Sequence, residues 1–213
     1  MTIVTVEDLK SLFARIAEAM EHEKERLCEL DGVIGDADHG IAMELGFTAA
    51  AKAVSELDAA ADPTLVFNTA AKSFLNAVGA SSGPLYATAL MRAGASAKGK
   101  TSLNDEDMVE IVAAFAKGIQ DRGKAEVGEK TMVDAWVPAA AACRSTREQG
   151  QPLAACLTAA LEAAKAGAEA TKDMIAAKGR SSRLGDRALG HMDPGAASAV
   201  VVISCLHAHF SPE

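Results

Sequence analysis

Apolar residues recur along most of this chain at helical intervals. Over residues 6–28, Leu9, Leu12, Phe13, Ile16, Ala17, Met20 and Leu27 form one stripe, while Glu18, Glu21, Glu23 and Lys24 lie largely outside it. The same 3.6-residue period predicts further helices over roughly 40–58, 63–78, 83–98, 105–121, 131–149, 152–177 and 195–210. Alanine-rich runs such as TAAAKAV and VPAAAAC add helix propensity and permit close packing. Pro63, Pro138, Pro152 and Pro194 mostly fall near a predicted helix start, where a missing N–H costs little. The run VVVIS at 200–204 also reads as a strand. A buried final helix is the stronger expectation, because nothing else in the chain offers a strand to pair with it. The pattern predicts an all-α fold, one domain over 1–213, with eight helices.

The connections between these helices differ by parity. Odd-to-even joints read DGVIGDAD, VGASSG, DRGKAEVGEKT and KGRSSRLGDRALGHMDPG, all rich in glycine, hydroxyls and charge. Even-to-odd joints, SELDAAADP, AKGKTSLND and EQGQP, are short or plain. In an up-and-down bundle of antiparallel helices, every odd-to-even joint lies at one end. The elaborate loops therefore gather at one end, where the even helices begin. Up to four helix N-termini would face one place, each with unpaired N–H groups and about half a positive charge, an environment suited to phosphates.

The first of these joints carries Asp31, Asp36 and Asp38, with His39 next to them and glycines at 32, 35 and 40. A lone Asp before a helix is an ordinary cap, and Asp38 suits that role. Three carboxylates drawn together repel unless a cation sits among them, and oxygen-only ligands point to Mg²⁺ or Mn²⁺ rather than zinc. Three Asp and an ADP polyphosphate bring roughly −6, two Mg²⁺ return about +4, and four helix ends at about +0.5 each cancel most of the remainder.

The other elaborate joints add weaker signals. In GASSGPLYATAL (79–90), Ser81 and Ser82 either cap the following helix or hold a phosphate. In KTMVD (130–134), Thr131 suits a cap, and Met132 is either core or an adenine contact. The final joint sets Arg180, Arg183 and Arg187 near Asp186, His191 and Asp193, a length more typical of a functional lid than of a plain helix–helix turn. His39 and His191 are candidate general acids or donors to phosphate.

Composition narrows the classes. Apolar residues make up 49% and charged residues 23% of 213, which suits a globular chain with a sizeable core. A net charge of −8, with no basic run interleaved with aromatics, argues against nucleic acid as a partner. No apolar stretch reaches the roughly 18–20 residues of a membrane span, and the N-terminus has no secretory pattern. The cysteines at 28, 143, 156 and 205 stand singly within predicted helices and form no CxxC, so buried free thiols in a reducing cytoplasm are expected. No GxxxxGK[ST], kinase loop set or GxSxG occurs, so phosphate chemistry here would use another scaffold.

Together, LD-x-x-x-GDADHG, GASSGPLY, RGKAEVGEKTM-x-D and GRSSRLGDRALGHMDPGAAS resemble one family, the nucleotide-binding L subunits (DhaL) of dihydroxyacetone kinases, in order and over nearly the whole chain. The resemblance implies an eight-helix antiparallel barrel with the nucleotide at one rim. It implies two Mg²⁺ on Asp31, Asp36 and Asp38, and ADP or ATP contacted by His39, Gly40, Ile41, Ser81, Ser82, Gly123, Met132, Arg180, Asp193, Pro194 and Gly195. His39 and Arg180 would join the aspartates in catalysis, with Arg180 neutralising charge on the transferred phosphoryl group. The ketose would be held by a separate substrate-binding K subunit, for which this chain has no room, so the chain alone should be inactive. Two departures stand out. Ala37 replaces the glycine of the commoner GDGDHG, which implies that this position needs no positive φ, and Ala42 stands where an Asn is frequent.

Within that reading ATP exchanges, or ADP stays bound and is rephosphorylated by a phosphohistidine protein of the phosphotransferase system. Dihydroxyacetone and a related ketose such as erythrulose are both open as substrates, as is a homodimer. Two readings of other classes compete: a nucleotide-sensing regulatory module, and a metal-dependent phosphatase using the same aspartates.

Overall fold

A computed structural model describes residues 2–58, 60–79 and 82–211. Among the described residues, eight α-helices run in chain order: α1 (Val6–Ile34), α2 (His39–Ser55), α3 (Pro63–Ala77), α4 (Ser82–Ser96), α5 (Asp105–Gly123), α6 (Val133–Glu148), α7 (Leu153–Ala170) and α8 (Pro194–Phe210). Two 3₁₀ segments, Thr171–Asp173 and Ser181–Ala188, lie in the last joint. Each helix packs against its successor and α8 packs back against α1, which closes the eight into a barrel.

Local chemistry sets several helix starts. Thr5 with Asp8 and Asn104 with Asp107 form reciprocal capping boxes at α1 and α5. Asp62 accepts from the Leu65 amide at 2.7 Å, with Pro63 in the first turn of α3. An antiparallel bridge, Val4 with Leu103, ties the N-terminal segment to the α4–α5 joint at the plain end.

The barrel interior is filled by side chains. The six Phe, one Tyr and one Trp are all buried, so the scarce aromatic residues serve the core. Phe47 lies edge-on to Phe74 (5.0 Å between centroids) and to Tyr86 (5.3 Å), and Phe115 lies 4.5 Å from Trp136. Residues 200–204 lie within α8: Val201, Val202 and Ile203 are buried in the wall, and helix packing overrides their β-branched preference. The four cysteines are free, three of them buried. No helix among the described residues is long and apolar enough to cross a membrane.

Two helix ends and one proline depart most from the sequence pattern. Helix α1 continues six residues past 28 to Ile34, because Asp31 and Ile34 are buried and hold its last turn against the barrel. Helix α7 ends at Ala170 rather than near 177, where the buried Thr171 hydroxyl donates to the Ala168 carbonyl at 2.6 Å. Pro138 lies inside α6, not near its start. Its missing N–H frees the Asp134 carbonyl, and α7 approaches that oxygen so closely that a Cβ on Gly167 would overlap it.

Gly167→Ala is therefore expected to destabilise the chain by about 1–3 kcal/mol. Alanine gains about 1 kcal/mol of helix propensity, but a backbone carbonyl cannot rotate away as a side chain can. A urea titration of the variant against the parent chain measures the difference.

Candidate functional site

All four odd-to-even joints border one cavity of about 740 Å³. The first residues of the even helices, His39, Ser82, Val133 and Pro194, all line it, so four helix N-termini converge there as the loop parity requires. Leu45, Val78, Leu85, Ile119 and Met132 give the cavity an apolar lining, and Asp31, Asp36 and Asp38 border it as well. An apolar lining beside four helix N-termini suits a nucleotide, the base against the apolar side chains and the phosphates at the helix ends.

Asp31 sits in the last turn of α1, buried, rather than in the loop. Its Oδ2 accepts from the backbone amides of Asp38 (2.9 Å) and His39 (3.2 Å). The α1 carboxylate thus caps α2 from outside. Asp38 occupies the N-cap position but its side chain makes no capping bond, so it is left to face the cavity with Asp36. One carboxylate oxygen from each of Asp31, Asp36 and Asp38 lies within 4.8 Å of the others, the one such acidic or mixed cluster among the described residues. Oxygens on one octahedral Mg²⁺ at about 2.1 Å lie about 3.0 Å (cis) or 4.2 Å (trans) apart, so small carboxylate rotations suffice to bring these three onto a hard cation.

Arg180 reaches this cluster from the α7–α8 joint, pairing with Asp36 and lying 3.9 Å from Asp38. Arg183 and Arg187 are exposed and do not line the cavity, nor does the His191 side chain.

His39 donates no free proton in this arrangement. The Ser198 hydroxyl donates to the Gly195 carbonyl (2.9 Å), so it accepts from His39 Nε2–H at 2.9 Å. Burial pulls the imidazole down to about 4, against the opposing pull of Asp31, so the ring is neutral near pH 7. In this arrangement the imidazole anchors the first turn of α2 to Ser198 of α8. Asp193 caps α8, accepting from the Ala196 amide at 2.7 Å, and burial pushes its carboxyl up to about 7.

The remaining candidates divide. Ile41, Ser82, Gly123, Met132, Pro194 and Gly195 line the cavity, and Met132 is at once core and wall. Gly40 does not line it: a Cβ there would overlap the Lys24 carbonyl, so its part is the close α1–α2 approach beneath the acidic loop. Thr131 accepts from the Val133 amide at 3.2 Å, one position ahead of the Met132 N-cap. Ser81 lies outside the described residues. Ala42 lines the cavity and adds no polar contact.

Ala37 corrects an expectation. Its φ is +61°, so the backbone at this position is left-handed even though the glycine is gone. The loop must reverse within four residues between Ile34 and His39, and that geometry imposes the conformation whichever residue occupies it.

Sequence reasoning missed Lys130, a lysine only 1% exposed that lines the cavity, and Ser198, the partner of His39. A charged residue directly ahead of a hydroxyl cap in GEKTMVD was the available signal for Lys130; Ser198 stands out only as a hydroxyl in an apolar helix.

A barrel that turns four helix N-termini onto a carboxylate cluster offers a place for a polyanion and for a hard cation side by side. The particular family follows from comparison: residues 33–208 match the DAK2 domain, and the chain belongs to the DAK2 domain family. It is 40% identical over 194 residues to the "PEP-dependent dihydroxyacetone kinase, ADP-binding subunit DhaL" of Escherichia coli (strain K12), covering 90% of this chain and 91% of that one. It is 37% identical to the ADP-binding subunit DhaL of PEP-dependent dihydroxyacetone kinase 2 of Listeria innocua, covering 88% and 87%. Among solved structures, it superposes on the dihydroxyacetone kinase from C. freundii in complex with AMP-PNP and Mg²⁺ with a TM-score of 0.71 at 25% identity, over 93% of this chain and 33% of that longer one.

Ala37→Gly is expected to stabilise the chain, since relief of about 1–2 kcal/mol of left-handed strain exceeds the roughly 0.5–1 kcal/mol entropic cost of glycine. A rise in the urea midpoint with unchanged slope would show it.

Proposed function

We propose that this chain is the ADP-binding, Mg²⁺-dependent subunit of a dihydroxyacetone kinase, which passes a phosphoryl group to a ketose held by a separate substrate-binding subunit. The observation that carries the reading is the set of three converging aspartate oxygens at the mouth of an apolar-walled cavity ringed by four helix N-termini. The names of its high-coverage relatives in E. coli and L. innocua agree with it.

Asp31, Asp36 and Asp38 fit Mg²⁺ in donor type and spacing, and two ions shared by these three balance a nucleoside diphosphate best. Bound there, the metal supplies charge neutralisation along the phosphates. The protein contributes the rest by position. The N-termini of α2, α4, α6 and α8 turn their positive ends toward the polyanion, although Asp31, Thr131 and Asp193 already occupy some of their amides, and Leu45, Leu85, Ile119 and Met132 hold the base by burial. Arg180, on the joint above the acids, places a guanidinium where negative charge spreads during transfer. His39, held by Ser198, fixes the first turn of α2 over the Asp31 carboxylate.

The ADP-binding description of the relatives favours a resident nucleotide rephosphorylated in place by a phosphohistidine donor protein of the phosphotransferase system, over exchange of ATP. The test combines this chain with a substrate-binding subunit and dihydroxyacetone, and follows dihydroxyacetone phosphate formation with ATP or with a phosphoenolpyruvate-driven donor. Product with the donor alone supports a resident nucleotide, product with ATP supports exchange, and product with neither rejects the kinase reading.

The metal assignment has its own test. Asp36→Asn is expected to abolish the thermal stabilisation conferred by Mg–ADP while leaving far-UV helix content unchanged. Stabilisation that survives the substitution removes Asp36 from the ligand set.

A further inference from the structure

Arg180 sits in the middle of a long excursion from the barrel wall, and the structure shows how that excursion is closed at its base. The chain leaves α7 at Thr171 and returns to α8 at Asp193. Lys130, from the α5–α6 joint, inserts between these two strands of the neck, and its ammonium donates to the Thr171 carbonyl at 2.5 Å and the His191 carbonyl at 2.6 Å. Two further bonds cross the same neck: the Asp193 amide donates to Thr171 Oγ1 (2.9 Å) and the Gly190 amide to the Lys172 carbonyl (2.8 Å). Next to Lys130, the Glu129 carbonyl accepts from the Ala177 amide at 3.1 Å, and its carboxylate lies 3.7 Å from Lys178 Nζ. The excursion is therefore docked on residues 129–130 at its neck and again just before Arg180.

Lys130 is itself held with care. Its backbone is left-handed, φ +58°, a conformation disfavoured for lysine. The buried Asp134 carboxylate accepts from the amides on either side of it, Gly128 at 2.5 Å and Thr131 at 2.7 Å. A buried ammonium whose bonded acceptors are neutral carbonyls costs desolvation that a leucine or methionine would not. A strained backbone and a buried charge at one residue beside a cavity point to a function for which stability has been given up.

We propose that Lys130 is a positioning residue for phosphoryl transfer, clamping the neck of the 171–193 excursion so that Arg180 is held over Asp36 and Asp38. The inference rests on the nucleotide-site reading above for its functional part, while the clamp itself is a property of the fold. Lys130 needs no contact with the nucleotide; it acts through the reach of Arg180. Without the ammonium, the two neck carbonyls lose their shared donor and the excursion is tied by the remaining amide bonds alone.

The test uses the full chain and the variants Lys130→Met, Arg180→Ala and the two combined. Methionine keeps the length and apolar stem while removing the charge. Trypsin cleavage after Arg180, Arg183 and Arg187 is expected to rise severalfold in K130M at unchanged helix content. Mg–ADP affinity, read by calorimetry, is expected to fall about tenfold in K130M but by less than about twofold when the same change is made in the R180A background. Unchanged cleavage overturns the clamp. Equal loss of affinity in both backgrounds overturns positioning through Arg180, since a lysine that merely supported the fold would weaken both alike. If K130M does not fold, Thr171→Val removes the neighbouring hydroxyl pin and is expected to give the same pattern at smaller amplitude, with the same two outcomes against it. A parent chain that binds no Mg–ADP at all would reject the nucleotide reading, and the cleavage comparison would then decide the clamp alone.

Discussion

Everything at the active rim depends on how eight helices close into one ring. Neighbours in an up-and-down ring alternate in direction, so closure places the positive ends of α2, α4, α6 and α8 together and leaves the cavity lined by their first residues. Such a place is electrostatically unfinished without anions. The chain meets part of the requirement itself: Asp31 turns its carboxylate onto the amides that open α2, and Asp193 does the same for the amide of Ala196 at the start of α8. The acids and the anion-binding helix ends, which look contradictory when read along the sequence, are two halves of one field.

That field accounts for most of the buried polar groups; Asp105, which opens α5 at the plain end and accepts from the Thr2 amide, is an exception. Lys130, Asp134, Thr171, Asp193 and Ser198 are buried groups distributed over the α5–α6 and α7–α8 joints and the helix starts that follow them, whereas the barrel centre is filled by Phe47, Phe74, Tyr86, Phe115 and Trp136. Asp193 and Lys130 illustrate the tension. Burial favours the neutral form of each, and their mutual attraction favours both charges. Each is retained beside the cavity, and each organises a joint that carries site residues.

The helices and the sorting of joints to one end were legible because both are local properties: a 3.6-residue stripe survives any tertiary context, and the charge and glycine of a loop can be counted in place. What escaped was set by contacts distant in sequence. Helix α1 runs to Ile34 because the Asp31 carboxylate has amides of α2 to meet, and α7 stops at Ala170 because Thr171 is claimed by Ala168 and Asp193. Pro138 reads as a helix-starting proline until α7 is seen to press Gly167 against the carbonyl it frees. Ala37 misled in another way, since a substituted residue records what a position tolerates and not what the backbone demands of it. The three aspartates were legible as a cluster from spacing alone. Lys130 was not, because its meaning lies in two carbonyls 41 and 61 residues further along the chain.

The ion pair between Arg180 and the acidic loop has a consequence for how the site is filled. A guanidinium already neutralises Asp36 and stands close to Asp38, so these carboxylates are not bare charges waiting for a counter-ion. A divalent cation that takes their oxygens takes them from an internal competitor, and its binding is a trade of partners whose net gain is smaller than that of filling an open cage. On the nucleotide reading proposed above, the released guanidinium would be free to face the phosphates. One side chain would then serve as stopper to the acids before the metal arrives and as partner to the anion afterwards.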